Sequence, residues 1–263
     1  MEAVVEDFQQ QYAANGFVAL PPVLSDATID TLVDALTAWS AQAPPATKEY
    51  GILQFNLHQQ LSCFQDVLSK KALGALAAAV LGVESVTLFQ DNLIWKPPGT
   101  TGRVQWHQDY AYWPLSAPSG LTMWLALDDV TEEMGCLHYI PGSHAEGEKQ
   151  PTNFISPGSP SWRQDLPPLE WPTQEHRAVV APLQRGHLLV HHPLSWHMSP
   201  GNTTARHRRA WSLTFITDDV RWDPEHAPHP FNHFQSPVSG SAVEGPLFPR
   251  FSGRSTPHPT GGA

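Results

Sequence analysis

The sequence predicts a mainly β fold, a β-sandwich or jelly roll braced on one side by N-terminal α-helices. Helical periodicity is confined to the first third of the chain, and beyond residue 83 the apolar residues fall into short runs separated by Gly and Pro turns. The third observation is composition. Hydrophobic residues make up 41% and charged residues 15%, enough for one unit of 263 residues to bury a substantial core.

The elements follow in order. "VVEDFQQQYAANGF" reads as a short helix closed by Gly16, and "FVAL" as a strand ahead of two prolines. In "SDATIDTLVDALTAW" Ser25 is the cap, and Ile29, Leu32, Val33 and Leu36 keep the i, i+3, i+4, i+7 spacing of an amphipathic helix. A third helix is expected over "DVLSKKALGALAAAVLG", ending at Gly82. Residues 1–82 are therefore the helical brace. The runs "SVTLFQDNLIW", "VQWHQD", "LTMWLALDDV", "CLHYIP", "AVVAPL", "HLLVHH" and "RAWSLTFIT" supply the strands of a jelly-roll core over 83–222. Between them, residues 145–175 read as a long loop, a length that usually serves as a lid or binding segment. Residues 223–263, rich in Pro, Gly, Ser and His, read as a C-terminal extension with a disordered end and not as a second domain. Its Pro-spaced histidines, His226, His229, His233 and His258, offer a metal no fixed geometry.

Charge and cysteine content narrow the partners. A net charge of -10 leaves no basic stripe for nucleic acid or an anionic membrane, which favours a small-molecule partner. Cys63 and Cys136 are too few for a disulfide framework, "MEAVVEDFQQ" lacks the features of a signal peptide, and no apolar run has transmembrane length. A cytoplasmic protein is expected.

The chemistry is concentrated in "VQWHQDYAYWP". In a strand, residues i and i+2 share a face, so His107 and Asp109 would present an imidazole and a carboxylate side by side, a donor pair suited to iron(II), manganese or zinc. A third ligand is available from His187, His191, His192, His197 or His207, and spacing does not choose among them. In the strand that follows, Arg208, Ala210, Ser212 and Thr214 share one face, while the bulky Arg209, Trp211, Leu213 and Phe215 share the other. A buried Arg208 guanidinium requires an anion and fits a carboxylate, so it could anchor an acidic co-substrate. The same alternation sets Gln90 and Asn92 together on a face that also carries Leu88 and Ile94, either as edge polarity or as hydrogen-bond donors to a ligand. If the strand continued past Asp109, Ala111 and Trp113 would stay on the metal side, as an apolar wall or as core packing.

Three segments, "WKPPGTTGRVQWHQDYAYWP", "LTMWLALDDVTEEMGCLHYIPGSH" and "GHLLVHHPLSWHMSPGNTTARHRRAWSLTF", together resemble the phytanoyl-CoA dioxygenase family of iron(II)- and 2-oxoglutarate-dependent oxygenases. The likeness runs from the N-terminal helices to about residue 217. It implies a double-stranded β-helix, a cupin-like jelly roll, with His107, Asp109 and His197 as the catalytic metal ligands. It also implies Arg208, eleven residues after His197, as the 2-oxoglutarate anchor, with Trp124, Ser199 and Asn92 in contact with that co-substrate and Gln90 a further contact. The implied reaction consumes O2 and 2-oxoglutarate, releases succinate and CO2, and hydroxylates an unactivated C–H. Related halogenases replace the carboxylate ligand with a small residue, so Asp109 favours hydroxylation. Family members act on amino-acid derivatives and natural-product intermediates, and no basic cluster is placed for the phosphates of coenzyme A. A small to medium, largely apolar metabolite is the expected substrate. Two rival readings are a zinc hydrolase using the same ligands, which leaves Arg208 without a role, and a non-catalytic cupin-like binding protein, which leaves the intact ligand set without one.

Overall fold

The computed structural model describes residues 2–43, 46, 51–151, 177–227 and 237–253, and its core is two antiparallel sheets facing each other. The first half of the chain contributes α1 (Glu2–Asn15), β1 (Phe17–Leu20), α2 (Asp26–Trp39), β2 (Ile52–Phe55), α3 (Leu57–Gln60), α4 (Ser62–Ser69), α5 (Ala72–Leu81), β3 (Ser85–Lys96), β4 (Val104–His107) and β5 (Gly120–Ala126). The second half adds β6 (Leu137–Tyr139), β7 (Val179–Ala181), β8 (Leu188–His191), β9 (His197–Ser199), β10 (Arg208–Thr217) and β11 (Arg250–Ser252). The larger sheet runs β1-β8-β5-β10-β3, and the long β3 shares its remaining edge between β2 and β11. The smaller sheet runs β4-β9-β6-β7. This is the expected jelly roll.

Local chemistry accounts for the brace. Gly16 takes the left-handed conformation that closes α1, with φ 78° and its N–H donating to the Tyr12 carbonyl at 2.8 Å. Ser25 caps α2 by accepting from the Thr28 N–H at 3.3 Å, and Ile29, Leu32 and Leu36 are its buried face. The single helix expected before Gly82 is in fact two. Lys71, at φ 62°, breaks it between α4 and α5, and Gly82 ends α5 at φ 68°. The break lets Phe64 and Ala77 both reach the outer face of the larger sheet.

That outer face is apolar. Leu93, Trp95, Met123, Leu125, Trp211 and Leu213 pack there against the helices, each fully buried aliphatic chain stabilising the fold by about 1.5–3 kcal/mol. Asp91 is its one buried carboxylate among the described residues. It accepts from the Trp211 indole at 2.8 Å and from the His58 backbone at 3.1 Å, and it pairs with the His58 ring, tying α3 to β3.

One correction concerns register. Strand alternation puts Leu88 beside Gln90, but Phe89 is an extra residue where β3 pairs with β10, so Leu88 lies opposite Phe215 and Gln90 opposite Thr214. Leu88 therefore faces the helices, while Gln90 and Asn92 face inward. Part of the C-terminal extension is structured. Residues 237–253 pack onto the core, Phe248 and Phe251 are buried, and β11 pairs with β3. Most of the expected 145–175 loop lies outside the described residues, as do His229, His233 and His258.

Candidate active site

The inner face of the larger sheet is polar where the outer face is apolar. Register places Gln90, Asn92 and Lys96 of β3 beside Thr214, Ser212 and Arg208 of β10, and these beside Thr122 and Trp124 of β5. The smaller sheet faces them, and its β4–β9 pair sets His107 directly opposite His197.

His107, Asp109 and His197 come together, with ligand atoms all within 4.8 Å of one another. Asp109 does not reach this position as a strand residue. β4 ends at His107, and Asp109 is helical (φ −62°, ψ −43°) at the start of a 3-10 turn over Tyr110–Tyr112. Buried Gln108 fixes this turn by donating to the Leu194 carbonyl at 2.8 Å and the Gly147 carbonyl at 3.1 Å. The alternation that would put Ala111 and Trp113 on the metal side therefore fails, and Trp113 packs in a core cluster with its ring 5.8 Å from that of Phe89.

Each imidazole is held in one tautomer. His107 Nδ1 donates to the Gln105 carbonyl at 2.8 Å and His197 Nδ1 to the Ser195 carbonyl at 3.0 Å, and a carbonyl can only accept. The two Nε2 atoms thus carry lone pairs, and they stand 3.6 and 3.5 Å from Asp109 Oδ1. Burial pushes the pKa of His107 below the ordinary value and that of His197 well below it, which keeps both rings neutral. Burial acts on Asp109 in the opposite sense, but the surrounding His197, His191 and His107 outweigh it and hold the carboxyl ionised far below its usual range. Two neutral nitrogens and one carboxylate oxygen on one side of a cation fit iron(II) and leave positions open for reactants.

Asp109 Oδ2 is held from behind. Thr122 Oγ1 donates to it at 3.1 Å and His191 Nε2 at 3.2 Å, and Tyr139 O–H reaches His191 Nδ1 at 2.9 Å. The other histidines on the sequence shortlist are elsewhere: His192 accepts from the Leu194 N–H, His207 accepts from the Trp95 indole, and His187 lies outside the cluster.

Farther along the inner face lies a cationic end. Arg208 is 1% exposed, its guanidinium carbon sits 5.4 Å from the Trp124 ring centroid, and burial pushes its pKa down to about 10. Its Nη2 donates to Ser199 Oγ at 3.2 Å, whereas its Nε has no hydrogen-bond partner. Ser199 Oγ also accepts from Lys96 Nζ at 3.0 Å and donates to the Gly135 carbonyl at 3.0 Å. The Ser199 hydroxyl is thus fully engaged within the protein. A second orphan faces the same space, the buried Oδ1 of Asn92. An unpartnered buried guanidinium N–H costs about 1–3 kcal/mol, and a carboxylate supplied by a ligand would relieve it.

Residues 12–210 match the family model for Phytanoyl-CoA dioxygenase (PhyH). The chain belongs to the phytanoyl-CoA dioxygenase family. It is accordingly an iron(II)- and 2-oxoglutarate-dependent dioxygenase, and the paired histidines with Asp109 and the orphaned Arg208 Nε provide donors of the chemistry that these two groups require. L-proline trans-4-hydroxylase from Streptomyces griseoviridis is 28% identical over 239 residues, 82% of this chain and 87% of the hydroxylase. Phytanoyl-CoA dioxygenase from Arabidopsis thaliana is 31% identical over 168 residues, 63% of this chain but only 57% of the plant protein. Two solved structures from nogalamycin biosynthesis share the fold. The α-ketoglutarate-dependent carbocyclase SnoK matches with a TM-score of 0.77 at 22% identity, covering 94% of this chain and 96% of that one. The epimerase SnoN matches with a TM-score of 0.78 at 20% identity, covering 95% and 99%.

Three residues that hydrogen-bond to side chains of the candidate site escape the sequence reading. Lys96 and Thr122 sit at even spacing from Asn92 and Trp124, so strand periodicity carried to the ends of β3 and β5 finds both. Tyr139 comes from the opposite sheet, and no local pattern connects it to His191.

Proposed function

We propose that this dioxygenase hydroxylates an unactivated C–H of a small to medium, largely apolar metabolite, with His107, Asp109 and His197 as iron ligands and Arg208 as the co-substrate anchor. The orphaned Arg208 Nε, buried in the same inter-sheet space as the His-Asp-His cluster, carries this reading. Iron(II), 2-oxoglutarate and O2 together supply the oxidising power, with release of succinate and CO2. The protein's part is placement. His107 and His197 offer Nε2 lone pairs, Asp109 offers Oδ1, and the Arg208 fork receives the distal carboxylate with Trp124 screening it from water. Ser199 contributes by orienting Arg208, its hydroxyl being engaged already with Gly135, Lys96 and Arg208. Asn92, through its orphaned oxygen, and Gln90 beside it are polar contacts to the bound co-substrate or substrate.

The substrate class rests on the surroundings of the ligands. The buried Tyr112 ring lies 6.5 Å from that of His107, an aromatic wall beside the place where a substrate C–H would approach. The relative aligned over most of its length is named for the hydroxylation of an amino acid, which favours a compact substrate over an acyl-coenzyme A. Two free cysteines and the acidic composition fit an enzyme of the cytoplasm. The test is succinate formation by the purified protein with iron(II), 2-oxoglutarate and a panel of cyclic amino acids and apolar natural-product intermediates. Hydroxylated product with one succinate per turnover is expected, and an absence of substrate-dependent succinate across the panel would count against it.

A further inference from the structure

We infer that His191, oriented by Tyr139, is a positioning residue that grips Asp109 Oδ2 and keeps this carboxylate a one-oxygen ligand aimed at the two imidazoles. The inference rests on the metal-ligand reading above and adds residues that the ligand set does not include. Asp109 needs such a grip because of where it sits. It occupies a turn beyond the end of β4, its side chain is 20% exposed, and the torsion that rotates a carboxylate is soft. Left alone, it could swing or offer both oxygens.

The grip comes from the rigid sheet. His191 on β8 and Thr122 on β5 are register partners, so two donors from neighbouring strands converge on Oδ2 and leave Oδ1 facing His107 and His197. An ionised carboxylate only accepts, so His191 Nε2 carries a hydrogen and has no lone pair to give a cation. The partner of Nδ1 is the Tyr139 hydroxyl on β6 of the opposite sheet, 2.9 Å away, which donates to it when the ring's hydrogen sits on Nε2. Burial and the nearby charge of Asp109 keep that phenol protonated. Tyr139 is itself fixed by stacking on Phe17, with ring centroids 4.5 Å apart. The chain Phe17, Tyr139, His191, Asp109 thus spans both sheets and ends on the ligand. Groups behind a metal ligand typically contribute about 10–100-fold to metal affinity.

Equilibrium dialysis of the metal-free protein against Mn(II), an oxygen-stable substitute for iron(II), tests this without turnover. Relative to wild type, His191→Leu should bind Mn(II) about 10–100-fold more weakly. His191→Gln, whose amide can donate to Oδ2, should recover most of the loss, and Tyr139→Phe, which lets the ring take the other tautomer, should show a loss of roughly 10-fold, at the lower end of that range. Asp109→Ala separates the two readings. If wild type fails to bind, or Asp109→Ala binds as wild type does, the metal-ligand reading itself falls. If Asp109→Ala loses the metal while His191→Leu and Tyr139→Phe keep wild-type affinity, only the positioning role is overturned. Equal losses in the Leu and Gln variants also overturn it, because His191 would then be a ligand or a packing residue. Should His191→Leu not fold, Tyr139→Phe decides, since it removes one hydroxyl and keeps the ring.

Discussion

The two ends of the inter-sheet space balance charge in opposite ways. At the His-Asp-His end, the single carboxylate is answered from behind, by Thr122 and His191, and shares its open side with the Nε2 lone pairs of two neutral imidazoles. At the other end, the Arg208 guanidinium forms no ion pair among the described residues and keeps one N–H with no partner at all. A site that merely needed stability would compensate both. Here the compensated end has the donor chemistry that a metal would need, and the uncompensated end keeps an N–H that an arriving anion would satisfy.

That contrast can be broken most severely at the metal end. His197→Ala should reduce 2-oxoglutarate-dependent succinate formation to background while His192→Ala retains it; the reverse result would move the third ligand. At the other end, Arg208→Met should raise the dissociation constant for 2-oxoglutarate by roughly 100- to 10,000-fold, from two charge-assisted hydrogen bonds at about 1.5–3 kcal/mol each, and leave Mn(II) affinity unchanged. Titration calorimetry on the Mn(II)-loaded protein reads this directly. Lys96→Met should act in the same direction but by about 10-fold, since the ammonium reaches Ser199 and contributes one charge at longer range. Equal losses in the two variants would dissolve the distinction between the anchor and its support.

Acid provides the gentlest probe. Burial lowers the pKa values of His107 and His197 in the folded state, so below the ordinary imidazole pKa of about 6.5 the unfolded chain binds protons that the folded one refuses. Stability of the metal-free protein should therefore fall as pH drops below about 6.5 and level off once the folded rings also titrate. The lowered Asp109 adds a separate loss only below its unfolded value near 3.8. Thermal melts from pH 7.5 to 4.5 check this, and a flat midpoint over that range would mean the rings are not held neutral.

Much of this arrangement is legible in the sequence, and what is not has physical causes. Period-two alternation finds the inner face of β10 because that strand is regular over ten residues, and it singles out Arg208 from geometry alone. The same rule fails for Asp109, Ala111 and Trp113 because a strand ends at His107 and a 3-10 turn begins. It also fails at Leu88, where one extra residue inverts the faces. Choosing His197 over His191 requires knowing the orientation of each ring, which hydrogen bonds to Ser195 and Asp109 decide and spacing does not encode. The packing of Phe248 and Phe251 is hidden for another reason: a composition rich in Pro and Gly describes how a segment bends, not what it covers.

The extra residue in β3 makes that strand two strands of opposite allegiance joined at Phe89. Before it, Val86 and Leu88 belong to the helices; after it, Gln90, Asn92 and Lys96 belong to the cavity. Deleting a single residue there would not shorten the sheet so much as turn one half over, burying amides among the helices or thrusting leucine into the reaction space. It is a count of residues, and not the identity of any side chain, that keeps the core and the chemistry on their separate sides of one continuous strand.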